Sequence, residues 1–78
     1  MTALDRFRAW VGEQEARGLA RWQIAALIGI SESVLSRLLR GSRGASGSVA
    51  CKIEAATATW SRGKIRAAEW FLGAAEAT

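Results

Sequence analysis

RWQIAALIGISESVLSRLLRG, residues 21–41, reads as two short helices meeting at a tight corner. In its first half Ile24, Leu27 and Ile28 recur at helical spacing, and in its second Leu35, Leu38 and Leu39 do the same. Each half therefore has one apolar side. Between them stand Gly29, Ile30 and Ser31. Gly29 can take the left-handed backbone that ends a helix, Ile30 can plug the angle, and the Ser31 hydroxyl can cap the helix that follows. Gly41 ends the second helix by the same device.

The outward side of that second helix sets the corner apart from a simple helical hairpin. With ~100° per residue and Leu35 at the inward centre, Ser33, Ser36, Arg37 and Arg40 fall together on the far side, with Glu32 in the first turn. A helix fits the major groove of B-DNA, where an arginine can pair two donors with guanine. Two helices at such a corner, the second one entering the groove, make a helix-turn-helix.

The segment resembles the helix-turn-helix of the phage Cro and CI repressors, the XRE type. Ile24-Ala25, Gly29-Ile30-Ser31, Leu35-Ser36 and Gly41 sit where that family keeps its buried aliphatic and alanine pair, its turn, its recognition-helix core and its closing glycine. Residues 50–57 and 61–65 are similar to the tail of the small YdaS-type, Cro-like regulators. The resemblance spans roughly residues 19–65. Ala20 stands where a capping Ser or Thr is common, Arg21 where Gln is common, and no proline precedes the fourth helix. What the resemblance implies is an all-α, five-helix lambda-repressor-like DNA-binding domain.

At 78 residues the chain has room for one small domain. Half its residues are hydrophobic and none is proline, which fits an all-α core. The formal charge is +4, unevenly spread. All Lys and Arg except Arg6 and Arg8 lie between Arg17 and Arg66, where the only acids are Glu32 and Glu54. The middle of the chain is thus the cationic surface. There is no histidine and one cysteine, Cys51, so zinc constellations, His-dependent triads and disulfide frameworks are excluded. No cofactor, metal or small-molecule ligand is expected, and no enzyme activity. The lone thiol and the lack of a signal peptide or membrane-length apolar run point to a reducing, cytoplasmic setting. The resemblance places it in a bacterium or phage, nucleoid-associated when bound.

Outside the corner, a first helix is expected from about Leu4 to Ala16. Leu4, Phe7, Val11 and Gln14 would lie inward with Trp10 at their edge, Asp5, Arg6 and Glu13 outward, and Thr2 as cap. Trp22 falls opposite Ile24, leaving contact with a partner and cover by a neighbouring helix both open. Residues 42–48, rich in Gly and Ser, follow the second helix of the corner. With Arg40 and Arg43 there, they read as a loop whose amides and arginines grip phosphates. Ser46 or Ser48 then caps a fourth helix to about Thr57, with Val49, Ile53 and Ala56 inward and Cys51, Glu54 and Ala55 outward. Ser61 is expected to cap a last helix, Arg62 to about Ala74. On it Ile65, Ala68 and Leu72 share the core face, and Trp70 lies opposite near Arg66, with Phe71 at the border. A tryptophan off the core is enriched at interfaces, so Trp70, Arg66 and Phe71 form the expected dimer contact, unless Trp70 folds against its own chain.

The functional expectation is a sequence-specific regulator of transcription, a repressor in its simplest form, binding two-fold symmetric double-stranded DNA as a homodimer. Glu32, Ser33, Ser36 and Arg37 would read bases, and Arg21, Arg40, Ser42 and Arg43 would hold phosphates. Glu32 is also favoured by the helix dipole alone, and Arg21 can equally be a solvated arginine at a helix start. The alternative is an antitoxin-like module that neutralises a partner protein, anchored by Trp22 and Trp70.

Overall fold

The computed structural model describes residues 2–42 and 44–70. Four helices follow one another: α1 (Ala3–Ala16), α2 (Arg21–Ile28), α3 (Glu32–Arg40) and α4 (Gly47–Ala56). A fifth helical stretch starts at residue 67 and continues to the last described residue, 70. No strand occurs among the described residues.

The starts and stops are local chemistry. Thr2 caps α1 in a capping box: its hydroxyl accepts from the Asp5 N–H at 3.1 Å, while the Asp5 carboxylate accepts from the Thr2 N–H at 3.2 Å. Ser31 caps α3 and Ser46 caps α4 through the N–H groups of Val34 and Val49. Ala20 has no side chain to offer, and Gln23 compensates by accepting from the Ala20 N–H at 2.8 Å. Gly29 at φ 91° and Gly41 at φ 75° end α2 and α3 in the left-handed region.

Phe7, Val11, Ile24, Leu35, Leu38 and Ile53 are buried together, so all four helices feed one core. α1 packs on α2 and α3, α2 on α3, and α4 on α2, so that among the described residues no helix lies against the outward side of α3. Leu27 departs from the sequence expectation. It is 58 % exposed, because the core side of α2 is occupied by Ile24, Ala25 and Ile28.

The chain after α4 differs more. Residues 61–66 are not helical as expected: 61–62 form a turn, Gly63 has φ 89°, and the chain is irregular up to the helical start at 67. Ile65 is fully buried from this irregular stretch. Its N–H donates to the Thr57 hydroxyl at 2.9 Å, and that hydroxyl donates to the Ile53 carbonyl at 2.8 Å. Thr57, fully buried, thereby links α4 to the tail. The 67–70 stretch is capped by side chains, with Glu69 accepting from the Arg66 N–H at 2.7 Å and Glu54 from the Ala67 N–H at 2.8 Å. Entering at this angle, it turns Trp70 inward and Ala68 outward, the reverse of the expected phase. Trp70 packs edge-on against Phe7 with ring centroids 5.9 Å apart, and Phe7 in turn stacks on Trp10. The expected end of this helix near Ala74 lies outside the described residues.

Arg6, expected outward, is half-buried beneath the tail. Its guanidinium meets the Glu69 carboxylate at 2.6 Å and donates to the carbonyls of Arg62 and Gly63. Burial pushes the Glu69 carboxyl up, but the bonds from the Arg66 N–H and the Arg6 guanidinium outweigh it and hold the group below the usual carboxylate range.

Candidate nucleic-acid interface

α3 combines the strongest separation of apolar and polar sides with short, capped ends. Leu35 and Leu38 are buried, and Val34 and Leu39 flank them against the core. With those positions inward, Glu32, Ser33, Arg37 and Arg40 are exposed and Ser36 is half-buried at the edge of the same side. The expected base-reading group is therefore brought together on one surface, with Ser36 set lower than the rest.

Polar engagement on this surface is slight. Ser33 Oγ lies 3.3 Å from Ser31 Oγ. Arg37 and Arg40 form no ion pair among the described residues. Both guanidiniums stand in the last turn of α3, where the helix dipole favours cations. The exposed Ser42 follows Gly41. Its N–H and hydroxyl both bond to the Arg37 carbonyl, at 3.2 and 3.3 Å, folding the start of the loop back on the helix end. Arg43 lies outside the described residues.

Arg21 stands at the exposed first position of α2, as expected, but it has a partner. Its Nε is 3.1 Å from a Glu15 carboxylate oxygen, and both side chains remain well exposed. Such a pair is worth ~0–1 kcal/mol and is screened by salt, so it leaves Arg21 able to exchange one anion for another.

Two cations that sequence reasoning missed hold the corner. Arg8 of α1 donates its Nε to the Leu39 carbonyl at 2.8 Å, and Lys52 of α4 approaches the Gly29 carbonyl at 3.2 Å. Each meets a carbonyl left unpaired at the end of a helix, Leu39 in α3 and Gly29 after α2. The contacts join residues 31 and 23 positions apart, so no periodicity announces them.

Of the residues expected at a dimer contact, Arg66 is exposed and Trp70 is not the outlying aromatic that was anticipated. It is half-buried on Phe7, because the non-helical stretch before it re-aims the helix. Phe71 lies outside the described residues. The large exposed apolar side chains among the described residues are instead Trp22, 62 % exposed, and Leu27, both on α2. Among the described residues no helix is long and apolar enough to cross a membrane.

Compared with known proteins, residues 14–59 match the model of one family, described as helix-turn-helix. The matched span takes in the end of α1 and all of α2, α3 and α4. No curated protein and no solved structure matches the chain.

Proposed function

Because the chain belongs to the helix-turn-helix family, we propose that it is a sequence-specific regulator that binds double-stranded DNA and reads the major groove with α3. The observation that carries this reading is the side of α3 bearing Glu32, Ser33, Arg37 and Arg40, which no other element among the described residues covers. Arg37 offers the groove a planar fork suited to guanine, and Ser33, Ser36 and Glu32 supply shorter contacts. Arg40, Ser42 and Arg43 hold the phosphates beside the end of α3, and Arg21, exchanging Glu15 for phosphate, holds those beside the start of α2. These backbone contacts fix the register in which the bases are read.

The subtype is the Cro/CI-like one, in the small YdaS-type form. Gly29 and Ser31 at the corner and Gly41 at the close of α3 have the conformations a helix-turn-helix needs, and the YdaS-type form rests on the resemblance of residues 50–57 and 61–65. The output is repression by occupancy of an operator. Two copies related by a two-fold axis would address half-sites ~34 Å apart, joined through Arg66, Phe71 and the uncovered part of Trp70.

Selection of duplexes from a random pool tests this directly. A palindromic consensus is expected, with preference at one position per half-site relaxed in Arg37→Ala. A pool that stays unenriched overturns the reading.

One observation favours a second reading, an antitoxin-like module for a partner protein: Trp22 on α2 is a large apolar side chain that is 62 % exposed. A stoichiometric partner that co-purifies with the chain and is lost in Trp22→Ala would select it.

A further inference from the structure

Arg8 lies on α1, outside the helix-turn-helix. Its Nε is fixed on the Leu39 carbonyl at 2.8 Å. That bond uses one of the five donors of a guanidinium. The rest of the fork is exposed and meets no acceptor among the described residues. The nearby carboxylate, Asp5, is turned toward the N–H and hydroxyl of Thr2 and forms no ion pair with Arg8. One Nη of Arg8 would lie 3.7 Å from a Cβ at Gly41, so the fork stands over the turn that leads from Arg40 to Ser42. The bare backbone of Gly41, with φ 75°, leaves that space open.

We propose that Arg8 is a phosphate-binding residue of the DNA interface, held ready by its bond to the end of the recognition helix. The inference rests on the DNA-binding reading above and adds to it a contact from α1. A guanidinium fixed through Nε keeps both Nη groups in one plane, the geometry that grips a phosphate through two oxygens. Because the anchor is a carbonyl of α3 itself, a phosphate held there is tied to the position of α3 in the groove. Arg8 thus differs from Lys52, whose Nζ bonds to the Gly29 carbonyl and has no fork to offer.

Two substitutions separate charge from anchoring. Arg8→Gln places an amide nitrogen where Nε stood, keeping a donor for Leu39 and removing the fork. Arg8→Lys keeps the charge and removes the Nε bond. Binding of each to the selected duplex is measured from low to high salt, beside thermal melting of the free protein. The expected result is that Arg8→Gln lowers the slope of log affinity against log salt by about one, with melting and base preference unchanged, while Arg8→Lys keeps the slope. A parent that binds with a clear salt slope, matched by the slope of Arg8→Gln, overturns this inference alone and leaves Arg8 a helix cap. A parent that binds no duplex overturns both this inference and the DNA reading.

Discussion

The outward side of α3 and the tail from Thr57 to Trp70 both carry arginines, and they use them in opposite ways. In the tail, Arg62 faces Glu13 at 3.9 Å and Lys64 faces Glu54 at 3.8 Å, while Arg6 reaches in from α1 to Glu69 at 2.6 Å. Arg6 and Arg62 also lie over the ring of Trp60, whose indole N–H donates to Glu13 at 3.0 Å. On α3, Arg37 and Arg40 have no carboxylate among the described residues. Cations of the first kind fasten chain segments that lack a regular element of their own. Those of the second kind are favoured by the dipole at the end of α3 but fasten no other segment among the described residues.

The comparison is broken most severely in the tail. Ile65→Ala removes a fully buried side chain from a non-helical stretch and should cost ~2–5 kcal/mol of stability, read by urea unfolding. If DNA binding by the still-folded fraction keeps its base preference, the tail acts as a support only. A cost below about 1 kcal/mol would mean that the tail does not dock as described.

Arg37→Ala is the complementary test. It should leave the urea midpoint unchanged and weaken binding to the selected duplex by ~1–3 kcal/mol, with preference lost at one position per half-site. An equal loss on random duplexes would reassign Arg37 to phosphate.

How far the sequence discloses each region follows from the reach of its contacts. The helix-turn-helix is legible because its signals are local: Ser31 to Val34, Ser46 to Val49 and Thr2 to Asp5 each span three positions, and Gly29 and Gly41 act on their own backbone. The sides of α3 follow from spacing alone. The tail is not legible, since Arg6 finds Glu69 across 63 positions and Trp60 finds Glu13 across 47. Helical phase also misled there. Counting a helix from Ser61 puts Ile65 and Ala68 inward; Ile65 is indeed buried, but Gly63 breaks that helix and Trp70 takes the inward place expected of Ala68. In α2 the reason is different: Leu27 fits the apolar spacing, but Ile24, Ala25 and Ile28 already fill the side that meets α3 and α4.

A smaller effect is expected from acid. Glu69 is held below the usual carboxylate range in the folded chain, so it favours folding once it is ionised in both states. That contribution is complete above the unfolded carboxylate value of about 4.3 and is lost as pH falls through the lower folded value. Glu69→Gln should therefore flatten the acid limb of a stability profile and cost ~1 kcal/mol or less near neutral pH. A profile parallel to that of the parent would show that the Arg6 contact adds nothing.

The least effect, and the one that tests the contrast most finely, concerns Arg21, which belongs to both kinds. It stands at the start of α2 among the proposed DNA contacts, yet it is paired with Glu15 as Arg62 of the tail is paired with Glu13. If Arg21 is a phosphate ligand, Glu15 competes with DNA for it, and Glu15→Gln should strengthen binding at low salt by up to ~1 kcal/mol. The gain should fade as salt screens the exposed pair, and it should disappear in Arg21→Ala, where there is no cation to release. A gain that persists in the Arg21→Ala background would come from the lost negative charge in general, because an acid near DNA repels it whether or not Arg21 is present. The double-mutant comparison therefore decides whether this arginine is fastening α2 to α1 or waiting for an anion.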